Sequence, residues 1–107
     1  MSAQINFKKG SVEMLLLHVL SCKGDCYGYE LVNRISECMQ ITEGTIYPLM
    51  KRLKDNGMID SYIVESQEGP PRKYYRITDG GRAEKETLLK EWFEFVDSIN
   101  ALLKGDE

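Results

Sequence analysis

The sequence has no apolar run long enough to cross a membrane. Its longest uninterrupted apolar stretch covers residues 14–17 and ends at His18, whereas a membrane-spanning helix needs about 20 such residues. The first nine residues are polar with scattered apolar ones, a composition unlike that of a signal peptide. We therefore expect a cytoplasmic protein with no membrane partner.

Cysteine and histidine are also scarce: the chain has Cys22, Cys26, Cys38 and a single histidine, His18. An odd number of cysteines without an export signal favours reduced thiols over disulfides. The four side chains are of the types that bind zinc, but their spacing fits no compact zinc motif. We predict no metal and no other cofactor. A thiol sensor remains open, with Cys26 as its first candidate because the sequence places it in an exposed loop.

Catalytic patterns are absent as well. The sequence offers no paired carboxylates, no nucleophile beside a base and no phosphate-binding glycine loop, and its one histidine has no evident partner. An enzyme is therefore not expected. The chain of 107 residues, 42% hydrophobic and 29% charged, has the size and composition of one globular domain.

Positive charge, which favours binding to phosphate, is deficient overall, since the net charge is −3. The deficit is unevenly distributed, however. Residues 70–82 carry four basic residues and one acid, whereas residues 83–107 carry three lysines and seven acids. The net charge therefore does not exclude a nucleic-acid surface formed by residues 42–58 and 70–82.

Hydrophobic spacing predicts three short helices, a hairpin and a last helix. The helices cover residues 9–22, about 29–38, and a third from Thr42 as N-cap to a stop at Asn56-Gly57. Pro48 lies beyond the first turn of the third helix, so we expect a local distortion or a later start there. Extended segments at residues 59–65 and 72–78 flank a turn-rich loop and predict a β-hairpin. Thr78 is the expected N-cap of the last helix, which runs to about Leu103.

This order of elements predicts a mostly helical α+β fold, a winged helix-turn-helix with a C-terminal dimerisation helix. Residues 1–78 are the expected DNA-binding domain and residues 79–107 the dimerisation helix. A helix-turn-helix puts its second helix in the major groove. The outward face of that helix and the wing hairpin supply the candidate DNA contacts Thr45, Tyr47, Lys51, Lys54, Arg72 and Lys73. An ordinary solvated helix face and a charged surface hairpin are the alternatives.

Four segments, taken in their order and spacing, resemble the PadR family of transcriptional regulators. They are residues 27–31 (Tyr-Gly-Tyr-Glu-Leu), 43–53 (Glu-Gly-Thr-Ile-Tyr-Pro-Leu-Met-Lys-Arg-Leu), 57–59 (Gly-Met-Ile) and 69–78 (Gly-Pro-Pro-Arg-Lys-Tyr-Tyr-Arg-Ile-Thr). The similarity extends from about residue 8 into the last helix. The short C-terminal region is similar to that of the compact subgroup, which has a single dimerisation helix.

The resemblance implies a homodimeric winged-helix regulator, usually a repressor, that binds inverted-repeat DNA operators. It implies that Thr45, Tyr47 and Lys51 enter the major groove and that Arg72 and Lys73 lie near phosphate or the minor groove. Pro48 belongs to the family motif. A winged-helix module that binds protein instead of DNA is the alternative, because a fold does not fix a function.

Apolar residues on two overlapping seams of the last helix predict a homodimer interface. The seam residues are Leu88, Leu89, Trp92, Phe95, Val96, Ile99 and Leu103. In the compact subgroup a tryptophan of this helix faces a pore between subunits that holds flat aromatic drugs, and Trp92 lies at a similar position. The resemblance thus implies a small hydrophobic or aromatic effector at the interface. The other interpretation is that Trp92 only packs against the second subunit.

Overall fold

The computed structural model describes the backbone of residues 3–105 and the side chains of residues 10–105. The elements in chain order are α1 (Ala3–Lys23), β1 (Cys26–Tyr27), α2 (Gly28–Cys38), α3 (Glu43–Asp55), β2 (Ile59–Val64), β3 (Arg72–Ile77) and α4 (Asp79–Gly105). Within this described part, no helix is long and apolar enough to cross a membrane.

The predicted fold class is confirmed: the chain is a mostly helical winged helix in which α2 and α3 form the helix-turn-helix and β2 and β3 form the wing. The sequence did not predict β1. This two-residue strand pairs antiparallel with β3, with Cys26 opposite Tyr75 and Tyr27 opposite Tyr74. The resulting three-stranded sheet has the order β1-β3-β2. The first helix is also longer than expected, since it begins at Ala3.

One hydrophobic core joins α1, α2, α3 and the inner face of the sheet. Its fully buried side chains come from α1, β1, α2, α3 and β2 and are Val12, Leu16, Leu17, Leu20, Cys26, Leu31, Ile35, Ile46, Met50 and Ile59. Leu88 of α4 packs against the edge of this core and is half-buried. The N-terminal half of α4 is therefore attached to the winged helix, and its C-terminal half extends beyond it.

The third helix begins and ends where the local sequence predicts. Thr42 is in the N-cap position with an extended backbone, although its side chain makes no capping hydrogen bond. The helix then continues through Pro48, so the predicted later start is wrong. At the other end Gly57 has a φ of +76°, a left-handed conformation that glycine adopts readily. The N–H of Met58 donates to the carbonyl of Leu53 at 2.9 Å and completes the C-cap.

The joint between the wing and α4 is tightly packed. Thr78 is the N-cap, as predicted, because its hydroxyl accepts a hydrogen bond from the N–H of Gly81 at 3.0 Å. The same hydroxyl donates to the carbonyl of Gly57 at 2.6 Å. A Cβ atom on Gly81 would lie 2.0 Å from the carbonyl oxygen of Met58, so only glycine fits there. The start of α4 is thereby fixed to the chain that leaves α3.

Candidate nucleic-acid interface

The outward face of α3 carries the polar half of an amphipathic helix. Its inner face contributes Ile46, Leu49, Met50 and Leu53 to the core. Tyr47, Lys51 and Lys54 are exposed, whereas Thr45 is half-buried. The hydroxyl oxygen of Thr45 lies 3.4 Å from that of Thr42. Three of the four predicted α3 residues thus face solvent, and the fourth packs at the helix start.

Tyr47 is exposed at its edge but is held in place by α2. A Cβ atom on Gly28 would lie 3.4 Å from both the ring and the hydroxyl of Tyr47, so the tyrosine covers the first turn of α2. This burial raises the pKa of the Tyr47 hydroxyl, and the nearby carboxylate of Glu43 raises it further. At neutral pH the hydroxyl is therefore protonated and can donate a hydrogen bond to an anion.

A cleft between α3 and the wing brings four of the six predicted DNA contacts together. It has a volume of about 310 Å³ and is lined by Tyr47, Lys51, Lys54, Asp55, Lys73 and Tyr75; we call it the α3–wing cleft. The ammonium of Lys51 lies 3.1 Å from a carboxylate oxygen of Asp55. The ammonium of Lys73 lies 5.8 Å from the centre of the Tyr75 ring. Three cations from two elements thus line the same cleft as two phenols.

Arg72 lies on the opposite face of the sheet. Because alternate residues of a strand point to opposite faces, Arg72 turns away from the α3–wing cleft that Lys73 lines. The Cζ carbon of Arg72 lies 4.8 Å from the centre of the Tyr27 ring. It lines a second cleft of about 540 Å³, here called the α2–wing cleft, formed by Tyr27, Tyr29, Ser66, Glu68, Gly69, Pro70, Pro71 and Arg72.

The seam residues of α4 differ in exposure along the helix. Leu88, Leu89 and Val96 are half-buried, whereas Trp92, Phe95, Ile99 and Leu103 are exposed. A groove of about 410 Å³ runs between α1 and α4 and is lined by Gly10, Ser11, Met14, Leu88, Glu91, Trp92 and Phe95. The rings of Trp92 and Phe95 tilt against each other with centres 6.5 Å apart. The groove therefore presents an open aromatic surface with one carboxylate.

Comparison with known proteins identifies the group to which this arrangement belongs. Residues 16–87, which include the helix-turn-helix, the wing and the start of α4, match the sequence profile of the transcriptional regulator PadR-like family. The chain belongs to the PadR-like family. This PadR-like protein is thus a DNA-binding regulator of transcription, and members of the family are transcriptional regulators rather than enzymes.

Similar proteins share both the sequence and the whole fold. An uncharacterised protein of Lysinibacillus sphaericus is 36% identical over 103 residues, which cover 92% of this chain and 94% of that protein. The crystal structure of smu.1704 from Streptococcus mutans is 35% identical, with a TM-score of 0.83 over 91% of this chain and 90% of that one. A PadR-like transcriptional regulator of Bacillus cereus is also 35% identical, with a TM-score of 0.78 over 89% and 93% of the two chains.

The thiol prediction for this PadR-like regulator needs a correction. Cys26 does not lie in an exposed loop, because it is in β1 and is buried by the core. Burial raises the pKa of the Cys26 thiol, with a further contribution from Glu30, and an inert thiol is the result. Cys22 and Cys38 are exposed, and the Cys22 sulfur lies 3.7 Å from Nε2 of His18. The described side chains include no group of three or more His, Cys, Asp or Glu residues that could hold a metal ion.

Sequence reasoning missed two residues of this region, Tyr27 and Tyr29. Their rings stack with centres 6.1 Å apart, and both line the cleft that contains Arg72. Tyr27 and Tyr29 were visible in the sequence only as part of the Tyr-Gly-Tyr motif. Their link to the wing depends on the pairing of β1 with β3, which no local pattern indicates.

Proposed function

We propose that this PadR-like regulator is a homodimeric repressor that binds an inverted-repeat operator and is released by a small aromatic effector. The observation that carries the proposal is the convergence of Lys51, Lys54 and Lys73 beside Tyr47 in the α3–wing cleft. Phosphate oxygens are the natural partners of such a group of donors. We place its site of action in the cytoplasm.

DNA recognition follows from the amphipathic character of α3. Its apolar face is fixed in the core, so its other face presents Tyr47, Lys51 and Lys54 to solvent. In a helix-turn-helix this face enters the major groove, and Thr45 lies near the N-terminal end that approaches base edges. We assign Lys51, Lys54 and Lys73 to phosphates and Thr45 and Tyr47 to the groove edge.

Self-association through α4 is supported by its uncovered apolar side chains. Phe93, Phe95, Ile99, Leu102 and Leu103 each expose between 40% and 65% of their surface. An apolar patch of this kind marks an interface, and in a homo-oligomer it is covered by a second copy. Two copies related by a two-fold axis would present two α3 helices to half-sites about 34 Å apart.

An effector role for the α1–α4 groove follows from its position beside this interface. The groove is mostly apolar, contains Trp92 and Phe95, and adjoins the uncovered part of α4. Flat aromatic molecules stack on such side chains. A molecule that binds better to a dimer with another α3 spacing would lower the population that fits the operator.

The decisive test is binding to a labelled DNA duplex that covers the upstream region of the protein's own gene. Anisotropy is measured at two salt concentrations, with Lys54→Gln and the control Lys90→Gln, which removes an exposed lysine of α4. We expect saturable binding that resists competitor DNA, weakens with salt and falls severalfold in Lys54→Gln alone. Equal binding to any sequence, or equal loss in both variants, would contradict operator recognition and favour a protein partner.

A further inference from the structure

Helix α1 packs against both α3 and α4, and a polar side-chain contact joins it to each of them. Toward α4, Nη1 of Arg82 donates to the hydroxyl of Ser21 at 3.3 Å. Toward α3, Nη2 of Arg52 lies 2.5 Å from a carboxylate oxygen of Glu13. Among the described side chains, this is the one ion pair that joins two helices. Helix α1 thus connects α3 with α4 by a second route, besides the packing of Gly81 against Met58.

The two members of this ion pair differ in burial. The side chain of Glu13 is only 18% exposed, whereas that of Arg52 is 65% exposed. No other cation among the described side chains lies within 4.0 Å of the Glu13 carboxylate. A carboxylate that is largely withdrawn from water is costly unless a cation faces it. The Glu13 carboxylate therefore holds the Arg52 guanidinium in place.

The ion pair adds a directional contact to the apolar packing of α3. The buried face of α3, formed by Ile46, Leu49, Met50 and Leu53, is held by the hydrophobic effect, which is non-directional. The strength of a charge-assisted hydrogen bond, in contrast, depends on the geometry of both groups. The contact between Arg52 and Glu13 therefore limits rotation of α3 about its own axis. That rotation sets the direction of the exposed side chains Tyr47, Lys51 and Lys54.

Glu13 lies among the residues of α1 that line the α1–α4 groove. Those residues are Gly10, Ser11 and Met14, and Met14 directly follows Glu13 in the chain. The other end of α1 is joined to α4 through Ser21 and Arg82. A molecule in the groove would therefore separate the two helices at the end that carries Glu13. The same part of α1 forms one wall of the groove and supplies the ion-pair partner of α3.

We propose that the Glu13–Arg52 ion pair couples the α1–α4 groove to the exposed face of α3. Glu13 is then a positioning residue for DNA binding. The inference rests on the proposed function and adds to it a route within one subunit. An occupant that displaces α1 moves the Glu13 carboxylate, and Arg52 follows it, so that α3 rotates relative to the operator. Such coupling is reciprocal: DNA bound at α3 changes the groove by the same free energy.

The groove contains its own reporter, because Trp92 is the single tryptophan of the chain and lines the groove. Its side chain is 37% exposed, so its emission responds to the access of water to the groove. The emission is recorded with and without saturating operator duplex, at an excitation where tyrosine does not absorb. We expect a spectral shift on DNA binding in the unaltered protein. In Glu13→Gln this shift should fall by about half or more.

Glu86→Gln is the matched control. The Glu86 carboxylate lies 2.9 Å from the ammonium of Lys85, but that ion pair lies within α4, and both substitutions remove one negative charge. We expect Glu86→Gln to keep the emission shift and the operator affinity. Glu13→Gln should bind the operator about threefold more weakly, the effect of losing a partly exposed ion pair. Melting temperatures identify any loss of fold.

Variants of Arg52 distinguish positioning from direct contact with DNA. Arg52→Gln should lose as much of the emission shift as Glu13→Gln does. The double variant should lose no more than either single variant, because both substitutions break the same interaction. A lower slope of log affinity against log salt in Arg52→Gln than in Glu13→Gln would assign Arg52 to a phosphate and overturn the proposal.

Two further results would overturn the coupling. One is an emission shift of full size in Glu13→Gln, and the other is the absence of any shift in the unaltered protein at saturating operator duplex. A protein that binds every duplex equally would contradict the proposed function, whereas the emission measurement on such a duplex would still decide the coupling. A protein that binds no duplex DNA would contradict both.

Discussion

The winged-helix body and the distal half of α4 use the same kinds of apolar residue in opposite ways. In the body Leu16 and Ile46 are fully buried, whereas in distal α4 Phe93 is 60% exposed and Leu102 is 65% exposed. Burial of a leucine or phenylalanine stabilises a fold by about 2 kcal/mol, which distal α4 does not gain within one chain. The body buries its apolar side chains within one chain, whereas distal α4 leaves them exposed, as the proposed dimer interface requires.

The winged-helix body and distal α4 also differ in charge. The body presents Lys51, Lys54 and Lys73 around one cleft, while distal α4 carries the exposed acids Glu91, Glu94 and Asp97. Negatively charged side chains repel DNA phosphates, so an acidic helix is unsuited to lie against DNA. The body is therefore suited to nucleic acid, and distal α4 is suited to the proposed dimer interface.

The largest expected difference between the regions is in stability. Leu16→Ala should lower the free energy of unfolding by about 3 kcal/mol, because it leaves a cavity in the core. Leu102→Ala changes the same residue type at an exposed position and should cost less than about 0.5 kcal/mol in dilute protein. Urea denaturation at low protein concentration measures both free energies of unfolding. Similar losses would mean that distal α4 is packed within one chain.

The stability of the protein should be nearly as sensitive to substitutions at the joint between the wing and α4. Gly81→Ala would place a Cβ atom against the carbonyl of Met58, and such overpacking costs about 1–3 kcal/mol. Gly80→Ala is the matched control, since its Cβ atom would meet the carbonyl of Gly57 at an ordinary 3.6 Å. We expect it to be neutral or slightly stabilising. Thermal unfolding of the two variants checks the difference, and equal melting temperatures would refute it.

A charge on the uncovered face should separate the subunits without unfolding the body. Ile99→Glu would bury a carboxylate in the proposed interface and raise the dimer dissociation constant by at least about tenfold. Asn100→Glu adds the same charge at the neighbouring exposed position and should have a smaller effect. Sedimentation equilibrium measures the constants, with circular dichroism to verify the fold. A dimer that survives Ile99→Glu must use another face.

The smallest expected effect concerns the thiols and alkaline pH. In the folded protein iodoacetamide should modify the exposed Cys22 and Cys38 and spare the buried Cys26, as peptide mass spectrometry would show.

The pKa values of Cys26, Tyr47 and Tyr75 are raised by burial. Their unfolded forms lose protons first, so stability should be full at neutral pH and fall as pH rises above the unfolded cysteine value of 9.0. A free energy of unfolding that is constant up to pH 10 would contradict this.

Local chemistry made most of the winged helix predictable. The spacing of Ile46, Leu49, Met50 and Leu53 determined the buried face of α3, and Thr78 was recognisable as a cap because a hydroxyl before a helix bonds its N–H groups. The start of α3 at the Thr42 cap was predictable, whereas the later start suggested by Pro48 was wrong because packing of the buried face keeps the helix continuous from Glu43.

Contacts between distant segments were not predictable in the same way. A two-residue strand has no periodicity, and β1 exists because β3 offers it partners about 50 residues later in the chain. Because β1 was not predicted, Cys26 was wrongly expected in a loop, and the contact between Arg72 and Tyr27 was not expected at all. The α3–wing cleft was easier to anticipate, because Lys51 and Lys54 share an α3 face and Lys73 lies in the recognisable wing.

The packing of Gly81 against Met58 fixes the start of α4, so any tilt of this helix must pivot near Gly81. A helix of 27 residues is about 40 Å long, so a tilt of about 5° at Gly81 displaces its far end by roughly 3 Å. The hydroxyl of Thr78 donates to the carbonyl of Gly57, which follows directly after the cap of α3, so the end of α3 and the start of α4 are linked. Helix α3 is about half as long as α4, so the same tilt would displace its far end by about half as much. In the proposed dimer, such a tilt of α4 would shift the far end of α3 by about 1.5 Å, enough to break a hydrogen bond to a phosphate.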